Sequence, residues 1–272
     1  MAFTPQGTLA TGNGSQVTVW GGTGTAKPLK PYHLPTPKGH TTFVANGHVS
    51  SVTHVNDTVT RWTAANSART VTLRQPTHPP ARERPPAAAF APDGETLAFA
   101  TGDGKATLRS TSDPAHPLSR LAAINTKGDW VQSMAYFPKG RMLVTVSYNN
   151  TVTLGNVTSP THPVEISRPR TGTGAVTTTK HGRVTETSND TGTSLSLAAV
   201  SPDGETLAIC DSRGAIRLWD VTDPAQPVRI GQPINADADV NSVAFTPDSK
   251  TLVTGTFQGT TGGDSKVKIW RL

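Results

Sequence analysis

Ala89-Phe90-Ala91-Pro92-Asp93-Gly94-Glu95-Thr96-Leu97-Ala98 decides the reading of this chain, because it comes back twice. It returns as Ala199-Val200-Ser201-Pro202-Asp203-Gly204-Glu205-Thr206-Leu207-Ala208 and as Ala244-Phe245-Thr246-Pro247-Asp248-Ser249-Lys250-Thr251-Leu252. Looser copies are Ala2-Phe3-Thr4-Pro5-Gln6-Gly7 and Ala135-Tyr136-Phe137-Pro138-Lys139-Gly140. A second landmark, an alternating run ending in Trp or a substitute, occurs six times. Its last residue is Trp20, Trp62, Arg109, Gly155, Trp219 or Trp270, giving gaps of 42, 47, 46, 64 and 51 residues. A third landmark trails behind as Asp113-Pro114-Ala115-His116-Pro117, Ser159-Pro160-Thr161-His162-Pro163 and Asp223-Pro224-Ala225-Gln226-Pro227, with a displaced copy at Gln75-Pro76-Thr77-His78-Pro79. Self-similarity at a period of about 40–50 residues marks a repeat architecture.

Each unit reads as four short antiparallel strands. The apolar segment before Pro-Asp-Gly is a strand, and Pro-Asp-Gly is a turn in which Pro presets φ and Gly takes a positive one. Thr-Leu-Ala begins a second strand, and a short polar turn leads to a third. The Asp-Pro-x-His-Pro element ends that third strand, since proline has no ladder donor. An outer fourth strand follows, as at Pro227-Val228-Arg229-Ile230. Composition agrees: 34% of the 272 residues are hydrophobic, and 43 are threonine, which suits a pleated surface and disfavours helix. No run reaches the length of about 18 apolar residues that a membrane helix needs. A single cysteine, Cys210, excludes an internal disulfide and a cysteine-based zinc site, and its apolar neighbours read as core. The N-terminus shows no signal or transit pattern, so cytoplasmic residence is the expectation.

These residues resemble the WD40 repeat family: Ala-Phe-x-Pro-Asp-Gly, then Leu-Ala, a tight turn, and Ile216-Arg217-Leu218-Trp219-Asp220. The resemblance runs through essentially the whole chain in six registers and implies an all-β, WD40-like β-propeller of about six blades. Residues 1–272 are then one propeller. The Trp-Asp pair survives once and the family's Gly-His pair as Gly39-His40, with Lys127 and Ala236 at the equivalent place elsewhere. The turn aspartate is kept as Asp103 and Asp264, whereas Arg213 and Asn149 stand there in other copies. No copy keeps the full His, Ser/Thr, Asp and Trp set.

The gap of 64 exceeds its neighbour by 18 residues, and the surplus maps to an inserted β-hairpin at about 171–190, with a degenerate seventh blade as the rival reading. The chain opens inside the first strand of blade 1 and stops two residues after Trp270. The last blade therefore lacks its outer strand, and ring closure is expected to need an additional one. The edge so left open is a place for another chain to pair.

The search for chemistry yields no nucleophile elbow and no phosphate-cradling loop. His78, His116 and His162 belong to one linker repeat, and the recurring acids Asp93, Asp203 and Asp248 sit in turns. No catalytic residue, metal ligand or cofactor is expected. The resemblance implies instead a non-catalytic protein–protein interaction scaffold that presents loop residues on one face, with a fragment of a larger signalling or regulatory array as one form of it. Trp130 is the first candidate there, since tryptophan is enriched at binding hot spots. Lys127, Asn149, Asp211, Arg213 and Asp237 share that face if the register holds. Two alternatives stand beside it: a propeller enzyme with a central-channel site, and a basic rim that binds an anionic partner such as nucleic acid. The outer-strand and linker segments do hold 14 Lys and Arg against 9 Asp and Glu, clustered at Arg82/Arg84, Arg168/Arg170 and Lys180/Arg183. Nucleic acid is disfavoured, because aromatics are not interleaved for base stacking. A membrane partner is not expected.

Overall fold

The computed structural model describes side chains over residues 87–100, 104–110, 121–126, 130–166, 195–256 and 266–272, and elsewhere only the backbone of the strands named below. All regular structure among the described residues is β. The first sheet holds β1 (Ala2–Phe3), β2 (Leu9–Asn13), β3 (Gln16–Trp20) and β4 (Pro28–His33). The second holds β5 (His40–Ala45), β6 (Val49–Val55) and β7 (Thr58–Thr63). The third holds β8 (Ala88–Phe90), β9 (Thr96–Thr101), β10 (Lys105–Ser110) and β11 (Arg120–Asn125). The fourth holds β12 (Val131–Tyr136), β13 (Met142–Ser147), β14 (Val152–Asn156) and β15 (Val164–Ser167). A separate two-stranded sheet, β16 (Val176–Thr178) paired antiparallel with β17 (Val184–Glu186), lies within the surplus stretch. The fifth sheet holds β18 (Leu195–Val200), β19 (Thr206–Asp211), β20 (Ala215–Asp220) and β21 (Val228–Asn235). The sixth holds β22 (Asp239–Phe245), β23 (Thr251–Phe257) and β24 (Ser265–Arg271).

One register repeats in all six sheets. In five of them a leucine of the second strand stands between the aromatic or apolar residue of the first and the Trp slot of the third. The triples are Phe3/Leu9/Trp20, Phe90/Leu97/Arg109, Tyr136/Leu143/Gly155, Val200/Leu207/Trp219 and Phe245/Leu252/Trp270. The second sheet lacks Pro-Asp-Gly yet keeps the register as Phe43/Ser51/Trp62. The innermost strands β1, β5, β8, β12, β18 and β22 touch in that order, and β22 touches β1. This is the circular arrangement of a six-bladed propeller.

The turns form as their residues dictate. Gly94, Gly140 and Gly204 take φ of 74°, 70° and 82°, and Ser249 takes 61° at the same place. Each donates its N–H three residues back, to Ala91, Phe137, Ser201 and Thr246 respectively. The recurring acids serve these turns. Asp93 Oδ1 accepts from the Glu95 amide, Asp203 Oδ1 from the Glu205 amide and the Ser201 hydroxyl, and Asp248 Oδ1 from the Lys250 amide and the Thr246 hydroxyl. Burial pushes the Asp203 carboxyl up, but the Ser201, Glu205 and Ser249 hydrogen bonds outweigh it and hold it below its ordinary value. The Thr246 hydroxyl, with the Lys250 amide, lowers Asp248 likewise. A carboxyl depressed in the fold contributes stability above its unfolded pKa and loses it as pH falls through the lowered value. The thermal midpoint should therefore hold near neutrality and drop below about pH 4. Circular dichroism melts of an Asp203→Asn/Asp248→Asn variant should show a shallower acid limb.

The core is divided into layers between successive blades, which is how 34% hydrophobic residues suffice. Leu108, Ile124, Val131 and Leu143 fill the layer between the third and fourth sheets. Val144, Leu154, Leu207, Ile209 and Trp219 fill the next, and Cys210, Ile216, Val240, Phe245 and Leu252 the third. Burial, then the Asp211 charge, pushes the Cys210 thiol up to about 12, so it stays protonated in this layer. Gly155 stands in the fourth Trp slot, where Ile124 comes close: a Cβ there would lie 2.9 Å from Ile124 Cδ1, and the Ile124 side chain would have to shift. In the sixth sheet Trp270 Nε1 donates to Thr254 Oγ1 at 3.0 Å. Register puts Ile209 at the corresponding place in the fifth sheet, and the buried Trp219 Nε1 has no partner there.

Candidate functional site

At one end of the sheets, the turn between second and third strands meets the connection from the outer strand to the next innermost one. In the third sheet, the amide and hydroxyl of Thr126 both donate to Gly104 O, at 3.2 and 2.6 Å. Thr126 also reaches the fourth sheet, where Ser147 Oγ donates to its hydroxyl and Thr153 Oγ1 to its carbonyl. In the fourth sheet the Tyr148 amide donates to Trp130 O at 2.8 Å. Asn150, at φ 63°, turns its Oδ1 to the Leu195 amide at 2.8 Å and so fastens this turn to the fifth sheet. In the fifth sheet the Ala236 amide donates to Gly214 O at 2.8 Å. Lys268 Nζ, from the sixth, donates to Ala236 O at 2.6 Å and to Asp237 Oδ2 at 3.0 Å. Successive blades are thus stitched together at this end by backbone and short side-chain bonds.

The residues singled out from sequence fall as follows. Trp130 is half-buried beside the Tyr148 turn, and Asn149, Arg213 and Asp237 are exposed at the same end. Lys127 lies outside the described residues, as do Asp103, Asp264 and the basic pairs at 82/84, 168/170 and 180/183. Asp211 is a correction: it is not offered to solvent but is 2% exposed. Its Oδ1 accepts the Arg213 and Ala215 amides at 2.9 and 3.0 Å, and its Oδ2 takes Arg217 Nη1 at 2.8 Å. Arg213 stands where the resemblance puts a turn aspartate, and Asp211, two residues earlier, organises the turn in its place. Two further residues belong to this end. Tyr148 is an aromatic ring 49% exposed at the tip of the turn, and Lys268 carries the charge that faces Asp237. An aromatic directly before Asn149-Asn150 was the readable signal for the first. The second depends on a contact between sheets.

Among the described residues, no group of three or more His, Cys, Asp or Glu could hold a metal ion, and no helix is long and apolar enough to cross a membrane. His162 lies in a linker turn, its Nδ1 at 2.9 Å from Thr161 Oγ1. The inner strands present Ser133, Tyr136, Asn241 and Ser242; Ser133 Oγ accepts the Ala198 amide, and burial, aided by Asp93, keeps the Tyr136 phenol neutral. What the described surface offers is a rigid loop end with aromatic, amide and charged side chains from neighbouring blades.

Residues 182–220 and 228–271 each match the family model described as WD domain, G-beta repeat. No curated protein sequence matches the chain. WD40 repeats generally mediate protein–protein interaction. The two matched repeats, the turn geometry they share with the third and fourth sheets, and the all-β architecture are those of WD40 repeats in a β-propeller.

Proposed function

We propose that the chain is a non-catalytic interaction scaffold whose loop end, centred on Trp130 and Tyr148 with Asn149, Arg213 and Asp237 around them, receives a protein partner. The observation that carries this reading is the stitching of that end. Hydrogen bonds donated by Thr126, Tyr148 and Ala236 and accepted by Asn150 hold adjacent loops together while leaving the Tyr148 ring at the tip. Aromatic anchors on a preorganised surface lose little entropy on binding, and such anchors dominate interface energies. The mixed Arg213, Asp237 and Asn149 periphery suits a polar rim around them. Partners recovered with the native protein should be lost with a Trp130→Ala/Tyr148→Ala variant of unchanged melting behaviour. Recovery of the same partners in the same yield would contradict the proposal.

A further inference from the structure

The linkers between third and fourth strands form the same turn in the fourth and fifth sheets, with one telling difference. Val157-Thr158-Ser159-Pro160-Thr161-His162-Pro163-Val164 follows β14, and Val221-Thr222-Asp223-Pro224-Ala225-Gln226-Pro227-Val228 follows β20. Position by position the two share the same bends and the same burial, with Val157 and Val221 inside and Ser159 and Asp223 exposed. The Val157 amide donates to Arg141 O and the Val221 amide to Glu205 O, both at 2.8 Å. The Thr158 and Thr222 amides donate to Asn156 Oδ1 and Asp220 Oδ1, both at 2.9 Å. The His162 amide closes on Ser159 O at 2.9 Å, as the Gln226 amide closes on Asp223 O at 3.0 Å. The difference is at the first residue of the Pro motif. Asp223 Oδ1 accepts the Ala225 amide at 2.9 Å, whereas Ser159 has no carboxylate for the Thr161 amide and its Oγ meets Thr161 Oγ1 at 3.2 Å. The sequence of the third linker also carries an aspartate here, Asp113.

The charges beside the serine are reversed as well. Lys139 and Arg141 are exposed in the turn before β13, where the fifth sheet has Asp203 and Glu205. The Val157–Arg141 bond sets Arg141 across from a residue two before Ser159. An anion at 159 thus finds donors ready: the Thr161 amide, the Thr161 hydroxyl and the cations of the neighbouring turn. A phosphate placed among such groups gains charge-assisted hydrogen bonds. Access separates Ser159 from the two other Ser/Thr-Pro pairs among the described residues. Ser201 is 0% exposed and the Thr246 hydroxyl is held by Asp248, whereas residues 158–163 belong to no strand. We propose that Ser159 is a phosphorylation site for a serine kinase that takes an exposed Ser-Pro segment, and that the phosphate completes this turn as Asp223 completes its counterpart. Ser159 Oγ attacks the γ-phosphorus of ATP. The bond from that phosphorus to the β,γ-bridging oxygen breaks, ADP leaves, and the hydroxyl proton passes to the base of the kinase. The phosphate then fastens the β14–β15 linker to the turn before β13. Both lie at the opposite end of the sheets from Trp130 and Tyr148, so the site does not depend on partner binding there.

The test takes a proline-directed serine kinase that phosphorylates the free peptide of residues 156–166 and applies it, with ATP, to the folded full chain. Intact and fragment mass spectra should show a phosphate at Ser159, and Ser159→Ala should lose it. Phosphorus NMR titration then reads the surroundings of that phosphate. Its second ionisation, at about pH 6 when unperturbed, should fall lower in the folded chain than in the phosphorylated peptide, because donors and cations favour the dianion. Arg141→Gln, a change at an exposed side chain, should move it back toward the value in the peptide. Hydrogen exchange at the Thr161 amide should slow about tenfold on phosphorylation, as expected for a hydrogen bond to a charged acceptor. Phosphorylation of the peptide but not of Ser159 in the folded chain would overturn the proposal. So would a phosphate that titrates as it does in the peptide, or one that leaves exchange at Thr161 unchanged.

Discussion

Asp211→Ala is expected to destabilise the fold by about 3–5 kcal/mol, the range for breaking a buried pair and leaving one charge behind. The stranded group is Arg217, whose side chain is 5% exposed and whose Nη1 has Asp211 as its carboxylate. The same substitution removes the acceptor for the Arg213 and Ala215 amides, so the β19–β20 turn loosens as well. An Asp211→Asn/Arg217→Leu variant separates the two contributions. It keeps an oxygen for the turn amides and removes the buried charge, and exchanging a buried ion pair for apolar packing is often neutral. Urea unfolding should place the double variant far closer to wild type than Asp211→Ala. Equal losses in both would show that the ion pair is not what makes Asp211 indispensable.

Gly214→Ala should cost about 3 kcal/mol, combining roughly 1–2 kcal/mol for a left-handed alanine with the loss of a hydrogen bond worth about 1. Gly214 sits at φ 85°, and a Cβ built there would run into the Ala238 carbonyl oxygen. That neighbour is backbone, so relief requires the whole connection from β21 to β22 to move. The Ala236–Gly214 bond lies in that connection, as do Asp237 and its contact with Lys268. The variant should thus lose stability in urea and also gain hydrogen exchange at Ala236 and Asp237. A loss of stability without added exchange at those amides would mean that the loop is held by something other than this close approach.

The fold was legible where the determining chemistry is local. Pro-Asp-Gly presets its own dihedrals, so Gly94 and Gly204 could be placed from sequence, and the Trp-slot spacing carried the six-sheet register. The second sheet lacks that turn, yet Phe43, Ser51 and Trp62 align as in the other sheets. Asp211 was misplaced because its environment is set by the pairing of β19 with β20, which brings Arg217 across six residues of chain. The same holds for the empty Trp slot at Gly155. Ile124 approaches that slot from the preceding sheet, and the contact has no signature in either segment. Trp130 could be singled out from its place ahead of a strand. Tyr148 and Lys268 became visible only when turns and sheets came together at one end.

The most direct measurement of the central claim is a hydrogen-exchange footprint of the full chain with a co-purified protein partner. Use of the loop end predicts protection concentrated at Trp130 and Val131, at 148–150, at Arg213 and Gly214, and at 236–238. Protection confined to the outer strands β15 and β21, with these loops unchanged, would contradict it.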